Sequence, residues 1–120
     1  MDEDFVGRFL RPWNAHDVDG AMDFMTADCI WEITRGPEPY GTRFEGTEAV
    51  RAAIDNAFRA VPDIHYEPVR CSFGPDLVVL ELLVRGTFGD RGRSHFHACD
   101  VMTMRSGKVA AKRSYRKLME

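Results

Sequence analysis

His95-Phe96-His97-Ala98-Cys99-Asp100-Val101-Met102-Thr103-Met104 alternates in the manner of a β-strand, with successive side chains on opposite faces. One face carries Phe96, Ala98, Asp100, Met102 and Met104, and Asp100 is the only charged group on that apolar stripe. Aspartate is seldom buried without a reason. A carboxyl group set in an apolar interior is a candidate general acid or base near neutral pH. Asp100 is therefore the first candidate catalytic residue. The competing reading makes it a structural carboxylate, paired with Lys112 or capped by hydroxyls.

Reading outward from this strand gives its neighbours. Leu77 to Phe88 is a long apolar strand with Val78, Leu80, Leu82 and Val84 on one face and Glu81 and Arg85 on the other. Gly89-Asp90-Arg91-Gly92 is the hairpin turn between the two. On the far side, Ser106-Gly107 turns into a last strand, Lys108 to Lys117. Lys112 and Ser114 share a face of it, near the register of Asp100. If that face is interior, a cation, a carboxylate and a hydroxyl meet and can position an acidic or carbonyl substrate, Lys112 and Ser114 polarising a carbonyl oxygen. A bulge at the turn would instead rotate them to solvent. Upstream, Ile64 to Phe73 is a further strand, with a bend expected at Pro68, and Gly74-Pro75-Asp76 is a turn.

The first half is mainly helical. Phe5, Phe9 and Trp13, flanked by Val6 and Leu10, form a helical stripe that Pro12 should kink or end. Asp17 is placed to cap a short second helix. Cys29-Ile30-Trp31-Glu32-Ile33-Thr34 is a short strand, and Gly36-Pro37-Glu38-Pro39-Tyr40-Gly41 predicts an irregular loop. Thr47 is the expected cap of a third helix carrying Val50, Ile54, Ala57, Phe58 and Val61, which Pro62 stops. Helices segregated from an antiparallel sheet define an α+β class. The expected architecture is a cone in which a strongly curved antiparallel β-sheet wraps three helices and encloses a pocket, with Asp100 pointing in. With 120 residues, a single domain over 1–120 is expected.

Composition narrows the function. The net charge is −3 with both signs mixed, which does not make the basic face that nucleic acid requires. The cluster Lys112, Arg113, Arg116 and Lys117 reads as a solvated strand end. No apolar stretch reaches membrane-spanning length. Cys29, Cys71 and Cys99 are odd in number and widely spaced, and the N-terminus Met1-Asp2-Glu3-Asp4 lacks an apolar signal core. Both features predict a cytoplasmic protein with reduced thiols. His95 and His97 share a strand face that Cys99 continues. However, at about 3.3 Å per residue His95 and Cys99 stand roughly 13 Å apart, too far to ligate one ion. These histidines are expected on the outer face of the sheet with Glu81 and Arg85, and neither a metal nor a cofactor is assigned.

Several short pieces, in order and spacing, carry a family resemblance: Trp13-Asn14-Ala15-His16-Asp17, Ala27-Asp28-Cys29-Ile30-Trp31-Glu32, Phe44-Glu45-Gly46, Val61-Pro62-Asp63 and Gly107-Lys108-Val109. Together they resemble the nuclear transport factor 2-like superfamily, in particular its SnoaL-like members. The resemblance implies binding of a small apolar molecule, a homodimer, and isomerase- or cyclase-type proton transfer without a cofactor. In ketosteroid isomerases of this fold an aspartate base works with a tyrosine and a protonated aspartate. The tyrosine falls on Phe9 and the base on Ile33; only the second aspartate has a counterpart, Asp100. Steroid isomerisation by that mechanism is thus not expected. Epoxide hydrolases of the fold carry arginine then aspartate on the last strand, where this chain has Arg113-Ser114. SnoaL-like cyclases, built around one aspartate, are closer. Candidate catalytic residues are Asp100, Lys112 and Ser114. Candidate ligand-binding residues are Phe9, Trp13, Trp31, Ile33, Tyr40, Tyr66 and Met102, although aromatics are equally at home in a core. Arg35 and Arg43 flank the Gly/Pro loop; they read as solvated, or as contacts for an anionic ligand if that loop covers the pocket mouth. The alternative to an enzyme is a non-catalytic binding or dimerisation module of the same fold. Fold alone does not decide between them.

Overall fold

The computed structural model describes residues 3–118, the side chains of Glu3 and Asp90 excepted; Met1 and Asp2 of the acidic N-terminus lie outside them. The elements run α1 (Glu3–Ala15), α2 (Val18–Met22), β1 (Met25–Glu38), β2 (Gly41–Glu45), α3 (Thr47–Ala60), β3 (His65–Phe73), β4 (Leu77–Phe88), a single 3₁₀ turn at Gly89–Arg91, β5 (Gly92–Arg105) and β6 (Lys108–Arg116). Six strands form one curved, unclosed sheet in the order β2-β1-β6-β5-β4-β3, with the three helices against it. The α+β architecture expected from the sequence is the one observed.

Three hairpins build most of the sheet. Leu80 faces Asp100 across β4 and β5, and Asp100 faces Ser114 across β5 and β6. The β5–β6 turn uses Ser106 (φ 53) and Gly107 (φ 77), the paired positive φ values of a tight hairpin turn. The register of β5 and β6 shifts only between Thr103 and Met104, below the Asp100 level. That shift is what turns Lys112 and Ser114 to the face of Asp100 and Met102: carried on unbroken from Arg105 and Lys108, the hairpin register would set Arg113 opposite Asp100. On β3 the register slips between Pro68 and Arg70, at the expected bend.

Four sequence expectations need correction. Pro12 does not end α1, which runs on to Ala15. Proline forfeits one helical hydrogen bond, but Trp13 is buried in the core just beyond it and holds the last turn. The Gly/Pro segment is not irregular: β1 extends to Glu38 and turns into β2, the strand missed from sequence. Its glycines are needed there, because a Cβ at Gly41 (φ 82) would meet the Ile33 carbonyl oxygen at 1.9 Å. Gly46, not Thr47, is the N-cap of α3; the Thr47 hydroxyl instead donates to the Ala27 carbonyl. Finally, the sheet is not wholly antiparallel, since β1 runs parallel to β6, with Trp31 beside Lys112. Side-chain alternation cannot report the direction of strands that no hairpin joins.

Between sheet and helices lies an aromatic core. Trp13 meets Trp31, Phe58 and Tyr66 edge-on at 5.5–5.8 Å, and Phe9 meets Phe24 at 5.7 Å. Trp13 Nε1 is the buried side-chain polar atom without a hydrogen-bond partner among the described residues. Asn14 splices α1 to β3: its amide donates to the Tyr66 carbonyl (2.9 Å) and accepts from the Tyr66 N–H (2.8 Å). His16 holds the Ile64 carbonyl (2.9 Å) and stacks on Phe58. Because Phe9 is fully buried, Phe9→Ala is expected to cost about 3–5 kcal/mol in urea denaturation; a loss below about 1 kcal/mol would remove Phe9 from the core.

Candidate functional site

Helix α3 explains why there is a cavity. Val50, Ile54 and Phe58 fill the core, while a second stripe, Ala49, Ala52, Ala53 and Ala57, faces the sheet with side chains too short to reach it. The space left is a cavity of about 550 Å³, within the range of small-molecule sites. Trp31, Tyr66, Leu82, Val84, Asp100 and Lys112 are its buried wall; Thr34, Arg35, Ala52, Asn56 and Arg116 are exposed and mark its mouth.

At the inner wall the three candidate catalytic residues come together. Asp100 and Lys112 are each 4% exposed. Lys112 Nζ lies 3.4 Å from Asp100 Oδ2. The Ser114 hydroxyl donates to Asp100 Oδ1 (2.7 Å) and accepts from Lys112 Nζ (3.2 Å) and from Trp31 Nε1 (3.1 Å). A hydroxyl has one proton and two lone pairs, so Ser114 is fully used within the protein. It can orient Asp100 but has no bond left for a ligand. The Lys112 ammonium also lies 4.4 Å from the Trp13 ring centre and 4.8 Å from that of Trp31, close enough for cation–π attraction. Burial pulls the Lys112 ammonium below the usual lysine value, and the Asp100 carboxylate opposes that shift.

The expected ligand-binding residues separate. Trp31, Ile33 and Tyr66 line the cavity. Phe9, Trp13 and Met102 are packed in the core behind it, with exposures of 0–1%. Tyr40 is 41% exposed beneath the Arg43 guanidinium and lines a separate cleft of about 270 Å³. Arg43 is bonded to Glu32 and is no part of the cavity. Tyr66 stands out, because its hydroxyl has no hydrogen-bond partner among the described residues. Burial raises its phenol well above the usual tyrosine value, so it remains a proton donor.

Sequence patterning alone does not mark Arg116, Phe44, Asn56 or the alanine stripe as cavity residues; Arg35, expected to be solvated, is exposed and also lines the cavity. Arg116 is two residues beyond Ser114 on the same face and opposes Ala98. It is open at the rim, but its guanidinium lies over Phe96 (5.2 Å) and Phe88 (5.7 Å). Desolvation there lowers it from the usual arginine value, while the nearby Tyr66 and Asp100 oppose that and the like charge of Arg35 adds to it. Once Lys112 and Ser114 are placed inward, alternation along β6 does the same for Arg116. His95, on the outward alternate of β5, opposes Arg85; His97 follows it on the same face. Among the described residues no cluster of three or more His, Cys, Asp or Glu could hold a metal ion, and no helix is long and apolar enough to cross a membrane.

Comparison with known proteins adds to this geometry. The family model for the SnoaL-like domain matches residues 6–112. No protein of curated function matches the sequence. Among solved structures, SalBIII, an epoxide hydrolase/cyclase-like enzyme in pyran ring formation in polyether salinomycin, is 24% identical; the alignment covers 97% of this chain and 90% of that one, at a TM-score of 0.80. A candidate polyketide cyclase from Sinorhizobium meliloti is 19% identical over 93% and 94% of the two chains (TM-score 0.76). A hypothetical protein with a ketosteroid isomerase-like fold from Catenulispora acidiphila, in complex with trimethylamine, is 13% identical over 98% and 88% (TM-score 0.83). At these identities the likeness is one of fold.

The lowered Lys112 sets a pH test. Between its depressed value and the ordinary ~10.4, the unfolded chain binds more protons than the folded one, so this residue makes stability rise with pH in that window. The double variant Lys112→Met/Asp100→Asn removes both charges. Urea denaturation at pH 8 and 10 is expected to show a more positive change for the wild type than for the double variant; equal changes would mean that Lys112 titrates normally.

Proposed function

We propose, for a chain that belongs to the SnoaL-like domain family, that the cavity binds a small, largely apolar carbonyl compound and that Asp100 moves a proton on it. The observation that carries this reading is that Asp100 is both held by Ser114 and Lys112 and part of the wall of an open apolar cavity. A purely structural ion pair has no need of that exposure to a cavity.

The chemistry follows from the groups in reach. The Asp100 carboxylate removes a proton from the carbon next to a carbonyl; the C–H electron pair becomes the new C=C bond and the C=O π pair moves onto the carbonyl oxygen. The developing oxyanion is stabilised by the Lys112 charge and by a hydrogen bond from Tyr66. Where the enolate is conjugated with a further C=C bond, Asp100 returns the proton to the γ-carbon, an isomerisation; alternatively the α-carbon attacks a second carbonyl, whose oxygen takes the proton from Asp100, an aldol-type cyclisation. Ser114 fixes the carboxylate and is a positioning residue, and Trp31 and Ile33 contact the apolar body. Likeness in fold to cyclase-type proteins supports this class of chemistry.

The alternative is a binding module without turnover, favoured by Ile33, an apolar residue where the resemblance puts the base of the isomerases. A test separates the two. The protein is incubated in D₂O with aryl β-diketones and deuterium uptake at the central carbon is followed by NMR. Catalysed exchange is expected, with Asp100→Asn about 10²–10⁴-fold slower and ligand binding retained. Binding with no exchange above buffer would establish the module reading.

A further inference from the structure

The cavity has the opposite charge balance to the chain. The protein carries a net −3, whereas the lining has one acid, Asp100, and three bases, Lys112, Arg35 and Arg116. Lys112 is matched by Asp100 at the inner wall. Arg35 and Arg116 are not matched, and neither pairs with a carboxylate among the described residues. Outside the cavity, Arg43, Arg51, Arg59, Arg70, Arg85 and Arg105 each have a carboxylate within reach, while Arg11, Arg91 and Arg93 form no ion pair among the described residues but do not line this cavity.

Strand geometry brings the two unmatched arginines together. Trp31 on β1 and Lys112 on β6 are neighbours in a parallel pair. Arg35 follows Trp31 by four residues, across a register shift in β1, and Arg116 follows Lys112 by four; both line the cavity at the same end, close enough for their like charges to interact. That end is the mouth, about 13 Å along the strand from the Lys112 level at ~3.3 Å per residue. The Phe88 and Phe96 rings support the Arg116 guanidinium from the protein side. Two guanidiniums that repel each other and face an apolar cavity are a site for an anion, and a planar carboxylate suits their forked donors.

We propose that the ligand is an amphipathic organic acid whose apolar, carbonyl-bearing body enters the cavity while its carboxylate is held at the mouth between Arg35 and Arg116. This rests on the reading of the cavity as a ligand site and adds the ligand's charge and orientation. The family match covers residues 6–112, so Arg35 lies inside the matched segment and Arg116 lies outside it. A cationic amine is disfavoured by the same charges.

Three probes of one shape test it: naphthoate, naphthylmethanol and naphthylmethylamine, titrated calorimetrically at low and high salt. Naphthoate is expected to bind about tenfold or more tightly than the alcohol, with an advantage that shrinks as salt rises, and the amine most weakly. Arg35→Gln and Arg116→Gln, both at exposed positions, are expected each to weaken naphthoate about five- to tenfold and to leave the alcohol unchanged. If the alcohol or amine binds as tightly as the acid, the charge assignment is overturned and the cavity reading stands. If none of the three binds, both fall.

Discussion

The buried pair of Lys112 and Asp100 is the constraint around which the site is arranged. Neither charge tolerates an apolar interior alone, and an ion pair survives there only when geometry and extra hydrogen bonds offset desolvation. The fold supplies those bonds from three strands. β5 brings Asp100, β6 brings Lys112 and Ser114, and β1 brings the Trp31 N–H to the same hydroxyl. Two indole faces take up the ammonium's remaining surroundings. The parallel docking of β1 on β6 is what makes this meeting possible, because it sets Trp31 beside Lys112.

The cavity is the counterpart of that network. A row of alanines on α3 leaves the sheet uncovered over the stretch where Asp100 and Tyr66 are displayed. Larger side chains there would close the space and make the pair a piece of core. Charge is graded along β6, from a neutralised cation at the inner wall to an unmatched one at the rim. An apolar molecule with one anionic end fits that gradient in a single orientation, which fixes the atoms it presents to Asp100.

Much of this was legible in the sequence, for physical reasons. Strict alternation marked Asp100 as an inward carboxylate, but the short turn at Ser106-Gly107 alone would set Arg113 opposite it; the register shift between β5 and β6 is what brings Lys112 and Ser114 to that face. What was not legible depended on partners remote in the chain. The direction of β1 against β6 leaves no mark on either strand's alternation. The Gly/Pro segment looked like a breaker, yet its glycines allow the close approach within a hairpin. Aromatic type could not separate Trp31 and Tyr66, which line the cavity, from Trp13 and Phe9, which lie in the core, since both environments favour large apolar rings. Arg116 was passed over because a run of basic residues usually marks a solvated end.

The most direct test of the account is a rescue of stability. Lys112→Met leaves the Asp100 carboxylate buried without its counter-charge, at an expected cost of about 3–5 kcal/mol. Adding Asp100→Asn removes that charge and keeps a side chain that can still bond to Ser114. Urea denaturation of the two variants is predicted to show the double variant as the more stable. A double variant that is the less stable, by the full cost of the Asp100→Asn change measured alone, would show that the two residues are energetically independent and that the network at the centre of the site does not exist.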